Sequence, residues 1–158
     1  MKKMEIKTNA MRILERNKIP YEAIQYECEE FIDGLHTAQI TGAPVEQSFK
    51  TLVVQGKSRD YYVLVIPIAE EVNLKTAAKA VGEKSVEMIH VKDMLGITGY
   101  IRGGCSPIGM KKHFPTYIEE MAQLYDTIMV SAGQRGVQVT LSPEDLRSYV
   151  QGQFVSLV

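Results

Sequence analysis

The run Tyr61-Tyr-Val-Leu-Val-Ile-Pro-Ile68 is apolar at consecutive positions, so neither face of the segment suits contact with water. A run of this length reads as a strand buried on both sides, and such a strand belongs in the interior of a covered sheet. Pro67 lacks the N–H that a ladder needs, which puts it at the strand's end or at a bulge. Just upstream, Phe49-Lys-Thr-Leu-Val-Val54 reads as a partner strand, and the polar Gly56-Lys-Ser-Arg-Asp60 between them marks a turn. A central strand pair is therefore the frame around which the remaining elements must be arranged.

Those elements are short. Thr8 or Asn9 can cap a helix with the apolar stripe Ala10, Ile13 and Leu14, which Pro20 stops. A brief strand over 21–26 and an acidic loop from Glu27 to Asp33 follow, and then a helix capped by Thr37 and closed by Gly42. Leu74, Ala77, Ala78 and Val81 recur at helical spacing between Asn73 and Gly82. Residues 85–91 read as a strand, and residues 92–95 as one helical turn. Strands over 127–131 and 136–141 flank Ala132-Gly-Gln-Arg135 as a hairpin, with Val137, Val139 and Leu141 on one face and Gln138 and Thr140 on the other. Ser142-Pro-Glu-Asp145 opens a last helix that runs to about Val150. Strands outnumber helices without a regular βαβ alternation, so the fold class is α+β: a strongly curved mixed sheet with helices outside it.

At 158 residues the chain is expected to form one domain over 1–158. The net charge of −1 excludes a protein that coats nucleic acid, which leaves a local patch as the way to hold any such partner. Two cysteines and three scattered histidines show no metal-ligand spacing, so no metal or other cofactor is expected. The start has charge in every turn and no apolar core, and the longest apolar run is half a membrane span. The expectation is a cytoplasmic protein with no membrane partner.

The densest signal for chemistry is Gly99-Tyr-Ile-Arg-Gly-Gly-Cys-Ser-Pro-Ile-Gly-Met-Lys-Lys112, with four of the chain's 12 glycines close together beside Arg102, Lys111 and Lys112. Glycines admit close approach of a ligand to main-chain N–H groups, and they equally serve a tight corner. The spacing from Gly104 to Gly109 imitates a phosphate loop, but Met110 stands in the lysine position and Lys112 in the Ser/Thr position, with Pro115 close behind. An NTPase is excluded. Cys105 lacks a histidine at a telling distance, so it reads as a small apolar filler. Lys50, at the start of its strand, either snorkels to water or aims its charge into a pocket. Ser131, Gln138 and Tyr26 are polar groups on strands that can line a pocket or face solvent.

Phe49-Lys-Thr-Leu-Val, Leu74-Lys-Thr-Ala-Ala-Lys-Ala, the run from Thr98 through Lys112 and Val130-Ser-Ala-Gly-Gln-Arg-Gly136 together resemble the YbaK/EbsC family over about residues 5 to 155. Its members are freestanding aminoacyl-tRNA deacylases related to the editing domain of bacterial prolyl-tRNA synthetases. The resemblance implies hydrolysis of mischarged cysteinyl-tRNA(Pro), extending to cysteinyl-tRNA(Cys), on a sheet that approaches a half-open barrel. It places the key lysine at Lys50, the glycine loop at Gly103 and Gly104, and substrate contacts at Tyr26, Ser131 and Gln138. Arg102, Lys111 and Lys112 become candidates for contacts to the tRNA backbone. The partners implied are the aminoacylated tRNA 3′ end and a transient complex with prolyl-tRNA synthetase. The sequence departs from the family pattern at Cys105, where an aliphatic residue is common, at Gln138, which is acidic in some relatives, and in a short 27–34 loop. Two alternatives accompany this reading: a deacylase for another small amino acid such as alanine, and a noncatalytic module that binds tRNA ends or nucleotides.

Overall fold

In the computed structural model, which describes residues 6–27 and 32–158, helices begin and end where side chains or glycines replace the missing backbone partners. Helix α1 (Asn9–Arg16) starts at Thr8, whose Oγ1 accepts from Met11 N at 3.2 Å. Strand β1 (Glu22–Gln25) comes after Pro20. Helix α2 (Gly34–Thr41) is capped by Asp33 rather than by Thr37: the Asp33 side chain accepts from His36 N at 2.9 Å, and the Thr37 hydroxyl donates back to Asp33 O at 3.1 Å. An acidic side chain at that place also suits the positive end of the helix. The acidic loop expected from Glu27 to Asp33 falls mostly on 28–31, which, with Cys28, lie outside the described residues.

Strands β2 (Phe49–Gly56) and β3 (Tyr61–Pro67) pair antiparallel as expected, and Pro67 is the last residue of its strand. Helix α3 (Leu74–Val81) runs from the Asn73 cap to Gly82, which takes φ 81°. Strand β4 (Val86–Met88) leads into helix α4 (Val91–Thr98), which is two turns long where one was expected. Gly96 interrupts the sequence signal, but the chain keeps its helical course until Gly99 turns left-handed at φ 85°. Strand β5 (Thr116–Glu119) was not anticipated. Strands β6 (Ile128–Gln134) and β7 (Val137–Leu141) form the expected hairpin, though β6 runs through the supposed turn and absorbs an irregularity between Ser131 and Gln134. Helix α5 (Pro143–Val150), capped by Ser142, and strand β8 (Gln153–Val155) complete the described chain.

The strands form two sheets, in the orders β1-β7-β6 and β4-β2-β3-β5-β8. This corrects the expectation of one strongly curved half-open barrel. The two sheets meet at a single parallel bridge between Ser48 and Met129, and beyond it β2 and β6 part. Hydrophobic periodicity identifies strands but carries no information about which edges pair.

The central position of β3 is borne out, since residues 62–67 are all buried. On one face of the β2–β3 pair, Val54, Leu64 and Ile66 pack with Ala77 and Ala78 of α3 and with Leu157. On the other, Phe49 and Val65 join a core made by Leu14 of α1, Leu146 of α5 and the inner residues of β6 and β7. The far edge of the larger sheet is fastened by Glu119, which is 2% exposed. Its Oε1 accepts from Leu157 N at 2.8 Å and Val158 N at 3.2 Å, and its Oε2 accepts from Met121 N at 2.9 Å.

Candidate active site

Where the two sheets part, a cavity of about 570 Å³ opens, a size ordinary for small-ligand sites. One wall is the β2 segment from Ser48 to Val53. The facing side comes from Arg102, Gly103 and Cys105 and from Met129, Ser131 and Gln138 of the hairpin. The mouth is lined by Gly34 and Leu35 of α2, by Met88 and by Val91 and Met94 of α4.

Lys50 stands half-buried in this wall, with Nζ 3.5 Å from the Ile68 carbonyl oxygen, a distance at the limit of a hydrogen bond. Its charge is thus held at the cavity, and no carboxylate of the described residues forms an ion pair with it. Lys50 is among the residues that line the cavity.

The glycine-rich segment is a tight corner that also contributes a wall. Thr98 is fully buried; its hydroxyl donates to Met94 O at 2.8 Å and accepts from Tyr100 N at 3.0 Å. Tyr100 then reaches across to donate to Ile108 O at 2.5 Å, closing the loop. Gly103, at φ 88°, adopts a backbone conformation that other residues rarely take and lines the cavity. Gly104 lies behind it. Its N–H is committed to Ile101 O at 2.9 Å, and a Cβ there would come within 3.3 Å of the Gln134 and Arg135 main chain. Arg135 Nε donates to Arg102 O at 2.8 Å, so the corner and the hairpin are clasped together.

Five of the expected site residues therefore share one cavity: Lys50, Arg102, Gly103, Ser131 and Gln138. Ser131 Oγ accepts from Gly133 N at 3.1 Å, and Gln138, 8% exposed, donates from Nε2 to Tyr26 Oη at 3.2 Å. Tyr26 thus acts on the cavity through Gln138 and does not line it. Lys111 and Lys112 lie elsewhere: Lys111 Nζ is 3.4 Å from Gly96 O, and Lys112 borders a separate hollow of about 100 Å³ with His113 and Tyr149. The apolar mouth and Thr51 were missed in the sequence. Exposed Leu35 and Val91, 49% and 54% accessible, were the available hint for the mouth.

Cys105 lines the cavity, yet burial pushes its thiol up to about 12 from an ordinary value of 9.0. It is neutral at physiological pH, and no histidine of the described residues lines the cavity to activate it. In a Cys28→Ser background, iodoacetamide at pH 8 is expected to leave Cys105 unmodified until the protein is unfolded, as mass spectrometry would show. The sign of the linkage is also fixed. Because the folded value is raised, the stability due to the neutral thiol is complete below pH 9 and is lost as pH climbs toward 12.

No grouping of three or more histidine, cysteine, aspartate or glutamate side chains suited to a metal occurs among the described residues, and no helix there is long and apolar enough to cross a membrane. A cavity with two cationic residues, Lys50 and Arg102, a main-chain corner, several hydroxyl and amide groups and, among the described residues, no activated nucleophile suits a ligand that brings a reactive bond with it. The chain belongs to the aminoacyl-tRNA editing domain family, which matches residues 35–149. It is 49% identical over 157 residues, 99% of this chain and 96% of the relative, to an Enterococcus faecalis protein described as a candidate Cys-tRNA(Pro)/Cys-tRNA(Cys) deacylase, EbsC. Among solved structures, one described as a candidate trans-editing enzyme for prolyl-tRNA synthetase superposes with a TM-score of 0.81 at 21% identity, covering 97% of this chain and 98% of that one. A second, described as a hypothetical protein, gives 0.82 at 16% identity over 91% and 96%. These two likenesses establish the mixed α+β fold.

Proposed function

We propose that the protein is a freestanding, single-domain deacylase that removes cysteine from mischarged tRNA(Pro), and also acts on cysteinyl-tRNA(Cys). The observation that carries this reading is the meeting of Lys50, Gly103, Ser131 and Gln138, brought from distant segments to one cavity. The family assignment and the name of the relative with 49% identity support the substrate class.

Ester cleavage passes through a tetrahedral oxyanion and needs a nucleophile, donors at that oxygen and a grip on the leaving nucleoside. The cavity offers donors, and its apolar mouth suits the face of a terminal adenine. Among the described residues it offers no activated nucleophile, so the attack is assigned to the substrate. The cysteine sulfur adds to its own ester carbonyl carbon, and the carbon–oxygen bond to the ribose breaks. The thiol proton passes to the departing ribose oxygen, and a cyclic thioester leaves, later opened by water. Lys50 holds the terminal phosphate or ribose and, secondarily, stabilises the developing negative charge. Arg102 is placed to meet the tRNA backbone.

This chemistry supplies a selectivity that size cannot. One methylene is distinguished by only about 1–3 kcal/mol in an apolar pocket, whereas prolyl and alanyl esters carry no sulfur at all. A transient complex with prolyl-tRNA synthetase, in the cytoplasm, would choose the tRNA body.

Cysteinyl-, S-methylcysteinyl-, alanyl- and prolyl-tRNA(Pro) offered separately test the reading. Cysteine is expected to be released, while the S-methyl ester slows by about 100-fold or more, the scale of losing a catalytic group. Release of alanine would favour the sister deacylase, and tight binding with no release would favour a noncatalytic module.

A further inference from the structure

Strand β2 has one fully paired edge and one interrupted edge. Toward β3 the ladder is continuous from Phe49 to Gln55, and Ile68 N donates to Ser48 O at 2.9 Å. Because a strand's main-chain groups alternate in direction, Ser48, Lys50 and Leu52 point to β3, and Thr51 points away from it. On that other side β2 touches β6 at Ser48 and meets β4 only from Val53, whose carbonyl accepts from Ile89 N at 3.2 Å. The N–H and C=O of Thr51 therefore face the gap in which the cavity lies.

The Thr51 side chain adds a third group. The residue is 9% exposed and lines the cavity, and among the described residues its Oγ1 is the buried side-chain oxygen with no hydrogen-bond partner. Other polar side chains of the cavity are already engaged: Ser131 with Gly133 N, Gln138 with Tyr26, Thr37 with Asp33 O and Ser48 with Pro44 O. A buried hydroxyl without a partner costs stability, so its place at a ligand cavity calls for a partner on the ligand.

We propose that Thr51 binds the α-ammonium group of the aminoacyl moiety, through Oγ1 and its main-chain carbonyl. This rests on the editing reading above. The division of charge supports it: Lys50 and Arg102 bring positive charge suited to phosphate or an oxyanion, whereas an ammonium requires acceptors, and Thr51 supplies two on the same wall. The cavity then selects for a free amine as well as for the side chain. An N-acylated or peptidyl ester, with no ammonium, is refused.

The test measures kcat/KM on cysteinyl-tRNA(Pro) and on the desamino ester, 3-mercaptopropionyl-tRNA(Pro), together with Tm, for the wild type, Thr51→Val and Thr51→Ser. Valine keeps the shape and suits a strand. For Thr51→Val the rate on the cysteinyl ester should fall about 10- to 100-fold, as for one hydrogen bond to a charged group. On the desamino ester it should equal the wild type, and Tm should stay or rise. Thr51→Ser should recover most of the loss. A lowered Tm with both rates unchanged would make the hydroxyl structural and overturn the proposal; an equal fall on both esters would overturn the assignment to the amine. If the wild type cleaves neither ester, the editing reading fails first and this inference falls with it.

Discussion

Lys50→Ala is expected to lower kcat/KM for cysteinyl-tRNA(Pro) by about 10²- to 10³-fold, the range for removing one group aimed at a developing oxyanion. The fold should survive. Lys50 is half-buried, its side-chain hydrogen bond to Ile68 O is 3.5 Å long, and the strand positions beside it keep their own packing in both cores. Lys50→Arg is the sharper variant, because it keeps the charge but replaces a compact ammonium with a planar fork. Partial recovery with arginine would identify charge as the requirement; none would show that the shape of the cation counts as well. Rates measured with purified mischarged tRNA, beside thermal melts, distinguish a lost site from a lost fold. Full activity in Lys50→Ala would remove the lysine from the mechanism.

Glu119→Ala is expected to cost stability while sparing the reaction. The substitution strips three main-chain donors, on Met121, Leu157 and Val158, of one shared acceptor. At ~1 kcal/mol for each orphaned donor the loss is about 3 kcal/mol. For a chain of this size that lowers Tm by roughly 6–12 °C. Glu119→Gln should cost less, since only one oxygen becomes a donor. Calorimetry reads the stability, and kcat at 20 °C should remain at the wild-type level because Glu119 stands apart from the cavity. An unchanged Tm in Glu119→Ala would mean that the C-terminal segment is held by packing alone.

What was legible in the sequence was local. The apolar pair 49–54 and 61–68, the Asn73 to Gly82 helix and the Ser142-Pro143 start each carry their signal within a few neighbouring residues, and each is found. Strands β5 and β8 were missed for the opposite reason. They are four and three residues long, and they pair in parallel with partners far along the chain, β3 with β5 and β5 with β8, so no hairpin announces them. The division into two sheets was illegible for the same cause, since edge pairing leaves no period. At the site, Lys50, Gly103, Ser131 and Gln138 were proposed by resemblance, and the cavity unites them. Thr51 escaped notice because a threonine in a strand is unremarkable until its hydroxyl is seen to lack a partner.

The cavity draws its walls from residues 32 to 138, a span most of the chain long. Its order of appearance during synthesis follows. Lys50 leaves the ribosome some eighty residues ahead of Ser131, and until the later hairpin docks there is no enclosure for an aminoacyl end. A nascent chain that already displays its lysine but has yet to form the hairpin therefore lacks the enclosure on which the proposed reaction depends.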